Sequence, residues 1–141
     1  MPLPRRSLVF AAPVLGALLV LHGASVAQQP APRASVIAFD RALPEMDGKH
    51  LALKVVDIQV PPGAKSTPHT HGCAVVVYVI SGAMRMQVRG GRDSVYHAGD
   101  TFFELPTDIH QLSDNASATD RAHFTATFVC DKVGPLSTPV P

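Results

Sequence analysis

The stretch "PPGAKSTPHTHGCAVVVYVISG", residues 61–82, decides the fold. It opens on a Pro-Pro-Gly turn, passes through His69-Thr70-His71, and runs into the apolar segment Ala74–Ile80 before stopping at Ser81-Gly82. Strand side chains alternate, so His69 and His71 share a face, and Cys73 and Val75 continue it. A strand this apolar is a core strand. Two neutral imidazoles offering lone pairs to one point form a donor set for Zn, Fe, Ni, Cu or Mn.

Outward from this stretch the chain keeps one pattern. Short strands are expected at 55–60, 74–80, 84–88, 94–96, 101–105, 109–113 and 122–129, separated by turns such as Gly90-Gly91, Ala98-Gly99-Asp100 and Asp114-Asn115. With no amphipathic helical period, this reads as an all-β sandwich or barrel. The tail, residues 131–141, holds three prolines and cannot continue a central strand. It is expected to be a frayed end or an arm laid on a neighbouring molecule.

Met1–Ala27 reads as a signal peptide: Arg5 and Arg6 precede the apolar run Leu8–Leu21, and Ser25-Val26-Ala27 precedes a cut at Gln28. Arg5-Arg6-Ser7-Leu8-Val9 also resembles a twin-arginine export signal. The apolar run is too short for a comfortable membrane span. A periplasmic or secreted protein is expected, with a lead-in at 28–50, the barrel at 51–130 and the tail at 131–141. Loss of Arg5 and Arg6 leaves ten of the twelve basic residues against eleven acids, a net charge of −1. That balance points away from nucleic acid and anionic membranes. Cys73 and Cys130 could pair in an oxidising compartment, but one pair is no disulfide framework. The preferred reading of Cys73 is a small buried apolar residue; a thiolate ligand or redox gate is the alternative.

The spacing Gly63, His69, His71, Val75, Gly82 resembles the first motif of the cupin superfamily, G-x5-H-x-H-x3-E-x6-G, with valine in place of the glutamate. "GDTFFELPTDIHQLSDN" (99–115) resembles the second, G-x5-P-x-G-x2-H-x3-N. Gly99 and His110 match. Leu105 stands for the first proline with Pro106 just after it, Thr107 for the second glycine, and Asp114 for the asparagine with Asn115 following. The resemblance covers roughly residues 55–129. It implies a single cupin double-stranded β-helix (jelly-roll) barrel with a divalent metal ion in its mouth, held by His69, His71 and His110. It also implies a small-molecule ligand or substrate and a homodimer.

The missing glutamate leaves three readings. A three-histidine site would leave the metal's charge uncancelled and positions open for dioxygen or a chelating substrate, as in an oxygenase; isomerase, lyase and decarboxylase chemistry also suit the fold. Another carboxylate could substitute, with Glu104 the best placed, although alternation does not tell which way it points. Or the metal is lost, and the barrel is a binding module for a sugar or organic acid, or purely structural. Val75, Cys73 and Glu104 are the candidate pocket residues. His123 lies on a face with Thr125 and Thr127, opposite Phe124 and Phe128, and the phenylalanine face is the expected core. His97 and His50 read as solvent-facing, Tyr78 as outward, and Met84 and Met86 as filler. One of Phe102 and Phe103 should be core. Arg85, Arg89 and Arg92 form a solvated hairpin tip.

Overall fold

The computed structural model describes residues 36–132 and 134–141. The expected signal peptide and the start of the lead-in lie outside the described residues. The described residues hold nine strands and no helix. They are β1 (Ala52–Val60), β2 (His69–Thr70), β3 (Ala74–Ser81), β4 (Ala83–Val88), β5 (Ser94–His97), β6 (Thr101–Glu104), β7 (His110–Asn115), β8 (Ala122–Cys130) and β9 (Thr138–Pro139).

Two sheets result, in the orders β1-β8-β3-β6 and β5-β4-β7-β2-β9, with every paired ladder antiparallel. This is the expected jelly-roll arrangement. Strict alternation builds the core. On β8, Ala122, Phe124, Ala126, Phe128 and Cys130 point inward while His123, Thr125, Thr127 and Val129 do not. On β3, Val75, Val77 and Val79 are buried and Tyr78 is exposed. Met84 and Met86 fill the opposite wall with no exposed surface. Each buried valine, phenylalanine or methionine side chain contributes about 1.5–3 kcal/mol. Phe102 points inward, and Phe103 points out, where Phe39 stacks on it at 5.5 Å and Arg41 lies 4.5 Å over its ring.

The β3–β4 turn requires Gly82. Its φ is +75°, and a Cβ would stand 2.5 Å from the Arg121 carbonyl oxygen. That is strain and collision together, so a larger residue would push the β3–β4 hairpin off β8.

Two expectations are corrected here. The tail does not fray. It folds back on its own barrel, where Thr138 pairs with Thr70 and Pro139 with His69, and the Val140 amide donates to the Pro68 carbonyl at 3.0 Å. β9 is outermost in its sheet, the position that tolerates proline because one side of the strand needs no ladder donor. Cys73 is not a free small residue, nor a thiolate, but is bonded to Cys130. The β3–β8 register pairs Ala74 with Val129, so the next rung brings Cys73 and Cys130 to a Cα separation of 4.6 Å, within bonding range. A strand pairing invisible in the sequence made the bridge.

Candidate metal centre

Three elements bring the histidines together. His69 on β2 lies directly across the ladder from His110 on β7, and His71 follows just beyond β2. Gly72, at φ +64°, then turns the chain into β3. The ring centroids are 4.8, 5.1 and 6.0 Å apart, and one ligand nitrogen from each ring lies within 4.8 Å of the others. His110 is buried and stacks on Phe102; His71 meets Phe128 edge-on.

Hydrogen bonds fix the tautomers of two rings. His69 Nδ1 lies 2.8 Å from the Thr67 carbonyl oxygen, and His71 Nδ1 lies 2.6 Å from that of Leu136. A carbonyl only accepts, so each Nδ1 donates and each Nε2 is left with a bare lone pair when the ring is neutral. That is how metal-ligating histidines are oriented in general. Burial pushes the His71 pKa below the ordinary histidine value, against the opposing pull of the Leu136 carbonyl and of Glu104. His71 therefore favours the neutral form that a ligand needs.

Glu104 completes the group. It ends β6 with 1% of its surface exposed, and the β3–β6 register sets it directly across from Val75. Its Oε2 is 3.6 Å from His71 Nε2, and its Oε1 is 3.2 Å from His110 Nδ1. Among the described residues, neither Glu104 oxygen nor either His110 nitrogen has a hydrogen-bond partner. Leaving an ionised carboxylate buried and unpaired costs several kcal/mol, so such groups are normally paired or bound to metal. The orphaned oxygens, the orphaned imidazole and the two bare Nε2 atoms fit a divalent cation.

The loop entering the site is anchored from β7. Asp114 accepts from the Ser66 amide at 3.0 Å, and Ser66 Oγ accepts from the Ser113 amide at 3.0 Å. Asn115, buried just after the motif position, donates to the carbonyls of Val60, Pro61 and Asp120 and accepts from the Ser117 amide. The motif asparagine is thus displaced by one residue but still ties this corner together.

The histidines and Glu104 line a cavity of about 90 Å³ whose other walls are Ile58, Val75, Val77, Phe124, Ala126 and Phe128, with Ser113 adding a hydroxyl. Cys73 does not line it. It faces a second cavity of about 200 Å³ between Thr70, Gly72, Lys132 and the tail, touched by His71. His123 stands on the outer face, paired with Asp57. His97 and His50 are exposed, Arg85 pairs with Asp93, and Arg89 donates to Gln111 at 3.0 Å. Leu136, whose carbonyl orients His71, carried no signal in the sequence, because its role is played by the backbone alone.

The family model for the cupin domain matches residues 56–128, more than half of the chain. The chain belongs to the cupin family. Among solved structures this cupin is similar to a DMSP lyase, with TM-score 0.56 and 20% identity over 63% of this chain and 44% of the lyase. It is also similar to a cupin-like protein from Thermotoga maritima (0.55 and 22%, over 62% of this chain and 64% of that one). A third is a polyketide cyclase from Streptomyces resistomycificus (0.51 and 21%, over 67% and 63%). At these identities the likeness is one of fold, and the cupin spans less than half of the lyase's length. No curated protein matches this chain.

Proposed function

We propose that this cupin holds one divalent metal ion through His69, His71 and His110 and uses it on a small oxygen-bearing organic molecule. The observation that supports this is the convergence of three histidine nitrogens on one another, beside a buried carboxyl group that approaches two of them and whose oxygens have no hydrogen-bond partner among the described residues. Such a donor set accepts Fe, Mn, Ni, Cu or Zn. Once bound, the metal would polarise a substrate oxygen or acidify a water, and iron would add dioxygen chemistry.

The chain's own residues do the rest. The Thr67 and Leu136 carbonyls hold two imidazoles in register before any ligand arrives. The valine and phenylalanine walls keep water out and seat an apolar portion of the substrate. A cavity of about 90 Å³ is far below that of sites for drug-sized ligands. A short carboxylate or enolisable carbonyl compound with one polar end suits it; a sugar, with hydroxyls all round, would leave them unpaired against apolar walls. An oxygenase is the first enzyme class to assay, followed by lyase and cyclase, the activities named for two structural relatives.

A non-catalytic module sensing a small organic acid is the second reading. It is favoured by one observation: apart from the histidines and Glu104 themselves, Ser113 is the only other polar residue lining the cavity. Export to the periplasm or beyond is proposed from Met1–Ala27. A homodimer is proposed from cupin kinship and from the exposed Leu53 and Val55 of edge strand β1.

The test is elemental analysis of residues 28–141 purified without a histidine tag or chelator, followed by oxygen uptake, lyase and cyclase screens. About one equivalent of a first-row metal per chain is expected. No metal, even after reconstitution, would exclude the metalloprotein reading. One equivalent with small acids bound but never turned over would select the sensing module.

A further inference from the structure

We propose that Glu104 is the fourth metal ligand, supplying from strand β6 the carboxylate that Val75 on β3 lacks. The inference rests on the three-histidine reading and deepens it.

The ladder makes the exchange geometrically natural. Val75 and Glu104 are direct Cα partners in the β3–β6 register, and both side chains point into the barrel with 1% of their surface exposed. Directly opposed residues hold their Cβ atoms about 4.5–5.5 Å apart. A carboxylate carried by either strand can therefore reach the same point. The acid stands one rung across the ladder from Val75, and the apolar Val75 fills the space on the other side.

Distances agree. Donor atoms that share a first-row ion at about 2.1 Å stand about 3.0–3.4 Å apart, the edge of an octahedron or tetrahedron. One Glu104 oxygen lies 3.2 Å from His110 Nδ1, inside that range, and the other 3.6 Å from His71 Nε2, just beyond it. His71 gives its Nδ1 hydrogen to Leu136, so in the neutral ring a lone pair on Nε2 faces a carboxyl oxygen. Two facing lone pairs repel; a cation between them reverses the sign. Among the described residues no arginine, lysine or backbone amide donates a hydrogen bond to either Glu104 oxygen to do that work. With Glu104 bound, the metal keeps a formal charge near +1 rather than +2, which suits a neutral or singly anionic ligand in an apolar cavity.

The experiment is cobalt(II) titration of the 28–141 protein, followed by visible absorption, for wild type, Glu104→Gln, Glu104→Val and the exchanged pair Val75→Glu/Glu104→Val. Glu104→Gln keeps the volume, and circular dichroism of each metal-free variant checks the fold. Both single variants should bind cobalt at least about tenfold more weakly, with altered ligand-field bands. The exchanged pair should recover wild-type affinity to within a few-fold. Wild-type affinity and spectrum in Glu104→Gln overturn the proposal while leaving the three-histidine site standing. A fully folded exchanged pair no better than Glu104→Val overturns the ladder geometry. No cobalt binding by wild type at all overturns both this and the site itself.

Discussion

Two histidine–carboxylate groups sit on opposite faces of one sheet. On the outer face His123 of β8 pairs with Asp57 of β1, with 28% and 64% of their side chains exposed. On the inner face Glu104 of β6 approaches His71 and His110, with at most 10% exposed. The outer pair is in hydrogen-bonding contact, and water covers what it leaves open. In the inner group neither Glu104 oxygen has a hydrogen-bond partner among the described residues. The same two functional groups, an imidazole and a carboxyl, thus carry different meanings. A solvent-exposed, hydrogen-bonded pair needs nothing more, whereas a buried, incomplete one calls for a cation.

The contrast can be broken most decisively by alanine. His110→Ala and His69→Ala should each reduce bound metal from about one equivalent to near zero, while His123→Ala and His97→Ala keep it. Equal metal content across all four would sink the site. A smaller but substantial effect is expected from the bridge that frames the inner face. Cys73→Ala/Cys130→Ala should lose about 2–4 kcal/mol of stability in urea unfolding, since the crosslink closes a long loop across 57 positions of sequence. Metal affinity should fall with it, because Cys73 follows His71 by two residues and Cys130 precedes the tail that holds His71. An unchanged urea midpoint would show that the bridge constrains nothing.

Next comes pH. Burial lowers the His71 pKa in the folded state, so the unfolded chain takes up this proton first as pH falls. Metal-free protein should therefore lose stability as pH drops through about 6.5 toward the lowered value. The loss should be smaller in His71→Gln. Identical acid profiles for the two proteins would mean that His71 does not titrate differently on folding. The smallest effect belongs to the outer pair: Asp57→Asn should cost no more than about 1 kcal/mol and leave metal content untouched. A larger cost would mean that the outer pair is a structural element of the β1–β8 ladder.

Much of this was legible in the chain. The turn spacing and period-2 alternation placed seven of the nine strands, the inward phenylalanines of β8 and the outward Tyr78. The H-x-H spacing with the later Gly99 and His110 pointed to the three rings that converge. The two strands missed, β2 and β9, are two residues each, too short for any periodicity to register. Alternation is local and needs no knowledge of partners, which is why it can be read from one strand at a time.

What the tertiary structure decided was everything that depends on which strand lies beside which. The bond between Cys73 and Cys130 follows from the β3–β8 register. The return of the Pro-rich tail to its own β2, and with it the Leu136 carbonyl on His71, follows from a free sheet edge. The direction of Glu104, undecided in the sequence, follows from its rung opposite Val75. A sequence states which side chains alternate along a strand. Only the hydrogen-bonded ladder fixes which of them meet, because register is set by burying the whole apolar face at once and not by any single residue.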